Sequence, residues 1–209
     1  PISNAIILGN GVMGKGIIWL FSKYLKDVRI KIRDISQANE ILKDVSKIYD
    51  YLVKSKKMTK NEADLKLNKI SYTEDFIGFK NFDFIIEAIV EDENTKKQTY
   101  AQIETLTNEN AIIATNTSSI SIEKLSSEVK NKENFLGVHF FNPVNLMPLV
   151  EVIPNSNTSK ETINKVLSSE FWQNVTFAGL EEIRQDLRDL MYLAENICGR
   201  WTKNWMSCR

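Results

Sequence analysis

The chain has 209 residues, 43 % of them hydrophobic and 26 % charged, which supplies an ordinary buried core and argues against a disordered chain. Its 27 basic side chains equal its 27 acidic ones, so the positive field that nucleic-acid binders direct at phosphates is missing, and we expect no nucleic-acid partner. No apolar run approaches the roughly 20 residues of a membrane span and the first residues resemble no targeting segment, so we expect a cytoplasmic protein without membrane contact.

The first third of the chain alternates between strand and helix patterns. Short apolar or period-two runs predict strands, and apolar residues at helical spacing predict helices. In chain order the predicted elements are a strand at 5–8, a helix at 15–26, a strand at 28–33 and a helix at 36–55. Thr59 and Glu62 have the spacing of a capping box, which should open a further helix.

The same alternation continues to about residue 170. The predicted elements are a strand at 82–88, a helix at about 93–109, and strands at 111–114, 135–141 and 149–153. Thr158 and Glu161 form a second capping-box pattern. Strands that alternate with helices over this length predict an α/β fold with a largely parallel sheet.

The last two predicted strands are joined by residues 142–148. This connection is too short for a parallel crossover, which needs about a dozen residues, so we expect the two strands to pair antiparallel. If Phe141 lies opposite Leu149, then Glu151 lies opposite His139, with their Cβ atoms about 5 Å apart.

His139 is the only histidine of the chain, and Glu151 stands between two valines. A carboxylate that faces a histidine stabilises the imidazolium and fixes its tautomer and orientation. Such a pair can act as a general base that takes the proton of an alcohol while a hydride leaves for a nicotinamide. The alternative interpretations are a core histidine without a catalytic role and a structural ion pair on an edge hairpin.

The turn Gly9-Asn10-Gly11-Val12-Met13-Gly14 has the context of a dinucleotide site: a buried strand before it, a helix after it, and Asp34 at the end of the next strand. Gly9 permits the tight turn, Gly11 lets the backbone approach a pyrophosphate, and Gly14 lets the helix pack closely. The three glycines, together with Val12 and Met13, would place the N-terminus of the following helix against the phosphates. Asp34 would bind the ribose hydroxyls, which favours NAD over NADP. The alternative is a glycine-rich turn that binds no nucleotide.

Five short runs occur along the chain in a fixed order. They are residues 8–14, 86–92, 115–119, 139–143 and 149–152. Together they resemble the NAD-dependent 3-hydroxyacyl-CoA dehydrogenases, including the 3-hydroxybutyryl-CoA enzymes, over about residues 4–167. The resemblance implies a Rossmann-type, mostly parallel sheet with a terminal antiparallel hairpin, and the oxidation of a (3S)-3-hydroxyacyl-CoA to a 3-oxoacyl-CoA in fatty-acid β-oxidation or butyrate-type metabolism.

The resemblance also implies roles for single residues. His139 would be the catalytic base and Glu151 its partner. Ser118 would bind the reacting oxygen of the substrate, and Asn142 would lie beside the nicotinamide and the substrate. Further implied contacts are those of Glu91 and Lys96 with the cofactor and of Lys57, in the lysine-rich segment 54–60, with coenzyme A phosphates. The alternatives are a turn or cap role for Ser118, a turn-forming Asn-Pro at 142, and a merely solvated lysine segment.

The composition changes near residue 170, so we predict an NAD-binding domain at 1–170 and a short, divergent helical tail at 171–209. Residues 181–198 have the pattern of one amphipathic helix. The two cysteines, Cys198 and Cys208, suggest neither a disulfide framework nor a metal site. The further strand and the helical dimerisation domain of the family are not recognisable after residue 168, which makes a homodimer and turnover by this chain doubtful.

Two other functions fit the sequence. One is an NAD-binding relative or fragment without turnover, because the helical domain is not recognisable. The other is a Rossmann dehydrogenase that acts on small hydroxy acids, similar to the 6-phosphogluconate families. Those families use a lysine for catalysis, so the pairing of His139 with Glu151 argues against them.

Overall fold

In the computed structural model, residues 2–172 and 176–178 are described. The strands are β1 (Asn4–Leu8), β2 (Asp27–Lys31), β3 (Ile70–Thr73), β4 (Phe84–Glu87), β5 (Ile112–Thr115), β6 (Phe135–Phe140), β7 (Leu149–Pro154) and β8 (Thr176–Ala178). The helices are α1 (Val12–Tyr24), α2 (Ser36–Lys54), α3 (Lys60–Leu67), α4 (Glu93–Glu104), α5 (Ile122–Ser126) and α6 (Lys160–Leu167). Short 3-10 turns occur at Phe79–Asn81, Lys132–Asn134 and Glu170–Trp172.

Within the described part of the chain, the strands form one eight-stranded sheet in the order β3-β2-β1-β4-β5-β6-β7-β8. Strands β1 to β6 run parallel, and only the β6–β7 pair is antiparallel. The chain leaves β1 first toward β2 and returns on the other side at β4, which makes the β1–β4 boundary a topological switch point. In such sheets ligands bind outside the carboxyl ends of the strands at this point. The predicted α/β, Rossmann-type fold is confirmed.

Helices cover both faces of the sheet, because the strands present apolar side chains in both directions. Alternate residues of β1 belong to different layers: Ile6 joins the cluster of Tyr100 and Leu125 from α4 and α5, whereas Ile7 lies against α1 at Gly14. The whole run from Ala5 to Leu8 is buried, as its uninterrupted apolar sequence predicts.

The register of the β6–β7 ladder agrees with the prediction. Leu136 lies opposite Pro154 and His139 opposite Glu151, so no bulge interrupts the ladder between them. The expectation that this hairpin ends the sheet needs correction, because β8 pairs in parallel with β7. Strand β7 is therefore an interior strand.

Three short elements were not predicted. Strand β3 has four residues at the sheet edge, and its sequence Ile-Ser-Tyr-Thr lacks a clear alternation. Helix α5 has five residues, too few to display a helical period. The absence of a strand after residue 168 was a wrong expectation: β8 has only three residues, Thr-Phe-Ala, which give no pattern.

The two predicted capping boxes have different outcomes. At α3 the box is present, with Thr59 Oγ1 accepting from the Glu62 N–H at 3.2 Å and Glu62 accepting from the Thr59 N–H at 2.7 Å. At α6 the prediction is wrong by one residue, because Ser159 caps the helix by accepting from Thr162 N–H at 3.0 Å. The Thr158 hydroxyl instead donates to the carbonyl of Phe135 at 2.8 Å and so ties the loop to β6.

The compact unit formed around the sheet continues past residue 170, as far as Ala178. Most of the predicted tail, including the amphipathic pattern at 181–198 and both cysteines, lies outside the described residues and stays a prediction. Among the described residues, no helix is long and apolar enough to cross a membrane, and no cluster of three or more potential metal ligands occurs.

Candidate functional site

A crevice of about 330 Å³ lies at the carboxyl ends of β1, β4, β5 and β6, at the switch point of the sheet. Its walls include five of the residues that the sequence singled out, namely Met13, Glu91, Ser118, His139 and Asn142. These residues come from four separate segments, so the fold itself brings them together.

The turn between β1 and α1 has the steric requirements expected of its glycines. Gly9 has a φ of +106°, and a Cβ there would lie 2.4 Å from the carbonyl oxygen of Ala88. A Cβ at Gly14 would lie 1.9 Å from the carbonyl oxygen of Gly9. Neither position can carry a side chain without a shift of the backbone. The tight glycine positions hold α1 close to the ends of β1 and β4.

The start of α1 fits the pyrophosphate of a dinucleotide. Gly11 is the N-cap residue, no described side chain caps the helix, and its first turn contains no acid. A Cβ at Gly11 would meet no described atom within 4 Å, which leaves space for a close approach of a ligand to the backbone. The N–H groups of Val12 and Met13 thus open a helix whose positive end is available to an anion.

Asp34 lies in an exposed turn beyond the carboxyl end of β2, the strand beside β1. Its carboxylate accepts a hydrogen bond from the backbone N–H of Ser36 at 2.7 Å. Hydrogen bonding to the side chain and backbone of Ser36 lowers the pKa of Asp34, which keeps this carboxylate charged at neutral pH.

The predicted His139–Glu151 pair is present in the crevice. Nδ1 of His139 lies 2.7 Å from Oε2 of Glu151, and the side chains are 16 % and 33 % exposed. The bond to the carboxylate places the neutral-state proton on Nδ1 and leaves Nε2 free to accept a proton. The imidazole also packs against Phe141, with ring centroids 4.7 Å apart. Two neighbours therefore fix the orientation of the imidazole.

Glu91 holds the loop that carries Ser118. One of its oxygens, Oε1, accepts from the hydroxyl of Thr117 at 2.5 Å and from the N–H groups of Ser118 at 2.9 Å and Ser119 at 3.2 Å. Partial burial acts to raise the pKa of Glu91, but these bonds, above all that from Thr117, together with the charge of Lys96 lower it to about 2. Glu91 is thus a permanently charged acceptor beside the crevice.

Lys96 occupies a different place from the one its implied role suggests. Its ammonium lies 2.6 Å from Oε1 of Glu87 and 3.2 Å from Oε2 of Glu91, and its side chain is 1 % exposed. In this arrangement Lys96 acts on the crevice through Glu91 and has no open surface for a ligand of its own. Glu87 was not predicted as a site residue, although a single acid that ends the apolar strand Phe-Ile-Ile-Glu was a usable signal.

Asn116 and Gly16 were also missed. Oδ1 of Asn116 accepts from the N–H of Phe140 at 2.9 Å, which fixes the end of β6 beside the loop after β5. Gly16 lies in α1, where a Cβ would come within 2.8 Å of Cγ2 and 2.9 Å of Cβ of Val144. The loop that begins at Asn142 can therefore pack against α1 only because residue 16 has no side chain.

Lys57 is exposed and does not line the crevice. Among its neighbours in the lysine-rich segment, Lys60 forms an ion pair with Asp64 at 2.9 Å. A contact of Lys57 with coenzyme A stays a prediction.

Comparison with known proteins agrees with this geometry. Residues 4–175 match the NAD-binding domain of 3-hydroxyacyl-CoA dehydrogenase. The chain belongs to this family. It is 39 % identical over 164 residues to the fatty acid oxidation complex subunit alpha of Vibrio vulnificus, an alignment that covers 78 % of this chain and 23 % of that protein. The chain thus spans about a quarter of the length of the curated relatives it matches.

Solved structures of the family show the same fold. The 3-hydroxybutyryl-CoA dehydrogenase of Escherichia coli K12 aligns with a TM-score of 0.80 and 27 % identity, over 84 % of this chain and 37 % of that one. The (S)-3-hydroxybutyryl-CoA dehydrogenase of Ralstonia eutropha aligns with a TM-score of 0.79 and 30 % identity, over 95 % of this chain and 72 % of that one. As a member of the family, the chain carries an NAD-binding domain.

The contact between Gly16 and Val144 gives a first prediction. Gly16→Ala should not raise the free energy of unfolding by the about 0.5–1 kcal/mol that alanine normally contributes over glycine inside a helix. The reason is that the new methyl group displaces Val144. In a Val144→Gly background, where Cβ and both Cγ atoms are absent, the same substitution should be more favourable by at least ~0.5 kcal/mol. Urea unfolding of the four proteins measures this coupling. Equal effects of Gly16→Ala in both backgrounds would show that the two residues do not meet.

Proposed function

We propose that this chain supplies the cofactor site and the catalytic base of an NAD-dependent (3S)-3-hydroxyacyl-CoA dehydrogenase of fatty-acid oxidation. The observation that carries the proposal is the 2.7 Å bond between His139 and Glu151, located in the same crevice as Ser118 and Asn142. A structural ion pair would need no such crevice, no glycine-lined helix start and no further polar groups around it.

The proposed role of His139 is to accept the proton of the substrate hydroxyl. With Nδ1 bonded to Glu151, Nε2 is the acceptor, and the negative charge of Glu151 stabilises the imidazolium that forms. NAD, when bound, would accept the hydrogen on the carbon that carries the hydroxyl as a hydride. The alcohol thereby becomes a ketone, with release of one proton overall. In the reverse direction His139 returns this proton to the oxygen.

The proposed role of Ser118 is to hold the reacting oxygen. Its backbone is fixed by the bond from its N–H to Glu91, at 2.9 Å, and its side chain faces the same crevice as His139. Asn142 lies at the crevice wall directly after β6 and is proposed to contact the nicotinamide and the substrate. A hydroxyl donor and an imidazole on the same oxygen would favour the developing charge of the transition state.

Binding of NADH without turnover by these 209 residues alone is the second candidate, since they align with 23 % of the relative's length. Acetoacetyl-CoA reduction by NADH, followed at 340 nm with stoichiometric protein, separates the two. NADH binding without oxidation would support the second candidate. The contact of Lys57 with coenzyme A and the cytoplasmic location also stay predictions.

Cofactor choice gives a second prediction. Hydrogen bonding to Ser36 lowers the pKa of Asp34 and keeps a negative charge where the 2′-phosphate of NADP would lie, so NADH should bind at least about tenfold more tightly than NADPH. Asp34→Asn should reduce the preference mainly by improving NADPH binding. Fluorescence titration of each protein with both cofactors measures it. Asp75→Asn, which removes another exposed turn carboxylate, is the control and should leave the preference unchanged.

The catalytic pair gives a third prediction. His139→Gln and Glu151→Gln should each lower single-turnover reduction of acetoacetyl-CoA by about 10²–10⁴-fold, because a positioned base contributes only when the proton moves. NADH affinity should change little in either variant. Glu161→Gln, which removes an exposed carboxylate from α6, should leave both quantities unchanged.

A spectroscopic measurement tests the pairing without turnover. Because His139 is the only histidine, ¹⁵N NMR of the labelled ring reports one tautomer without ambiguity. The neutral ring of the wild type should carry its proton on Nδ1. Glu151→Leu should shift the ring toward the mixture of Nδ1–H and Nε2–H tautomers that a free imidazole shows. An unchanged spectrum would mean that the two residues are not bonded in solution, and the proposal would then lose its main support.

A further inference from the structure

The buried carboxylate of Glu87 is a charged group for which the proposed chemistry has no direct use. Glu87 is the last residue of β4 and has no exposed surface. Both of its oxygens are fully engaged within the described structure. Oε1 accepts from Lys96 Nζ at 2.6 Å and Ile89 N–H at 2.8 Å, and Oε2 accepts from the hydroxyls of Tyr100 at 2.5 Å and Thr115 at 2.8 Å.

This arrangement joins three consecutive segments of the fold. Lys96 and Tyr100 stand one turn apart on α4, Thr115 ends β5, and Ile89 follows β4. Burial, together with the charge of Glu87, raises the pKa of Tyr100, so its hydroxyl stays a donor. A buried charge is tolerated only where its partners are held in place, so Glu87 defines one position for the Lys96 ammonium.

Lys96 transmits this position to Glu91. The ammonium contacts Oε2 of Glu91 at 3.2 Å, while Oε1 of Glu91 accepts from the loop Thr117–Ser119. Glu91 lies in an irregular segment after β4 and has no secondary-structure bonds to orient its side chain. Donors of the loop hold Oε1 of Glu91, and the Lys96 ammonium holds Oε2, so Lys96 fixes the second oxygen of the carboxylate.

We propose that Glu87 is a positioning residue, which acts through Lys96 and Glu91 to hold the loop Thr117–Ser119, and with it Ser118, against the crevice. The functional meaning of this inference rests on the proposed function, because Ser118 is there taken to bind the substrate oxygen. The physical part does not: removing the buried charge at the end of β4 should loosen the loop Thr117–Ser119, to which the Glu87 side chain makes no direct bond. A second route also exists, because Thr115, which donates to Oε2 of Glu87 at 2.8 Å, accepts from the Thr117 N–H at 3.3 Å.

Simple packing does not account for the cluster. The other residues of β4 are apolar and buried, and an apolar residue at 87 would join β4 to α4 without the cost of desolvating a carboxylate and an ammonium. Such a residue would leave Lys96 with Glu91 alone. The ammonium would then be free to draw Glu91 away from the loop. The contact with Glu87 holds the Lys96 ammonium at a fixed distance from the carboxylate of Glu91.

Amide hydrogen exchange of the ligand-free protein tests the inference. Glu87→Gln and Lys96→Met should each speed exchange at the N–H groups of Ser118 and Ser119, which both donate to Glu91, by about tenfold or more relative to core amides of β4. Lys97→Met is the matched control: it is the next residue on α4, pairs with Glu93 at 2.9 Å, and should not change exchange at the loop.

The double variant Glu87→Gln/Lys96→Met keeps the approximate shapes of both side chains and removes both buried charges, so neither charge is left unpaired in the interior. Where Lys96→Met does not fold, the double variant is compared with the wild type, and unchanged loop exchange would overturn the inference. If Glu87 acts through Lys96, the double variant should show the same loop exchange as Lys96→Met alone. Faster exchange of the whole domain, with the loop and the core accelerated equally, would reduce Glu87 to a stability role and overturn the inference.

Kinetics separates this inference from the proposed function. If the chain reduces acetoacetyl-CoA, Glu87→Gln should lower kcat or raise KM for the thioester by about tenfold while the ¹⁵N signals of His139 stay unchanged. If the chain shows no turnover, selective loop exchange in Glu87→Gln still supports the inference, and only the proposed function fails. Turnover of acetoacetyl-CoA together with unchanged loop exchange in Glu87→Gln would support the proposed function and overturn the inference about Glu87.

Discussion

Two close backbone contacts, of Gly9 with the carbonyl of Ala88 and of Gly14 with the carbonyl of Gly9, are the constraint on which the site depends. They bring the start of α1 to the ends of β1 and β4 at the point where the strand order reverses. A Cβ would lie 2.4 Å from the Ala88 oxygen at Gly9 and 1.9 Å from the Gly9 oxygen at Gly14, so a side chain at either position would force the backbone apart. The anion-binding end of α1, the segment of Glu91 and the His139 strand would then no longer border one crevice.

Much of the fold follows from local pattern. The apolar runs of β1 and β4 identify buried parallel strands, because only strands covered on both faces are apolar without alternation. The antiparallel pairing of β6 and β7 follows from a loop too short to cross over, and the register that joins His139 to Glu151 follows once Phe141 is taken to lie opposite Leu149. Strands β3 and β8 escape prediction because tertiary pairing, not local pattern, makes three or four ordinary residues into a strand.

The site is less readable than the fold. Side chains on strand ends and in the glycine turn, such as His139 and Met13, are placed by the backbone path, so sequence reasoning finds them. Lys96 illustrates the limit. The family resemblance implies a contact of Lys96 with the cofactor, but its ammonium is bonded to the carboxylate of Glu87, nine residues away in sequence, and is buried. Whether a lysine forms an ion pair with a buried or an exposed carboxylate depends on distances that only the folded chain defines.

The ladder of β6 and β7 has a consequence for how this domain could diversify. Glu151 is fixed from two sides, by His139 on β6 and by Ala178 on β8, so its position does not depend on the length of the intervening connection. Residues can be inserted or deleted between 143 and 148 without parting the pair, provided that the ladder does not slip by one position and turn Glu151 to the opposite face. The connection between β6 and β7 can therefore change in length and sequence while the His139–Glu151 pair keeps its geometry.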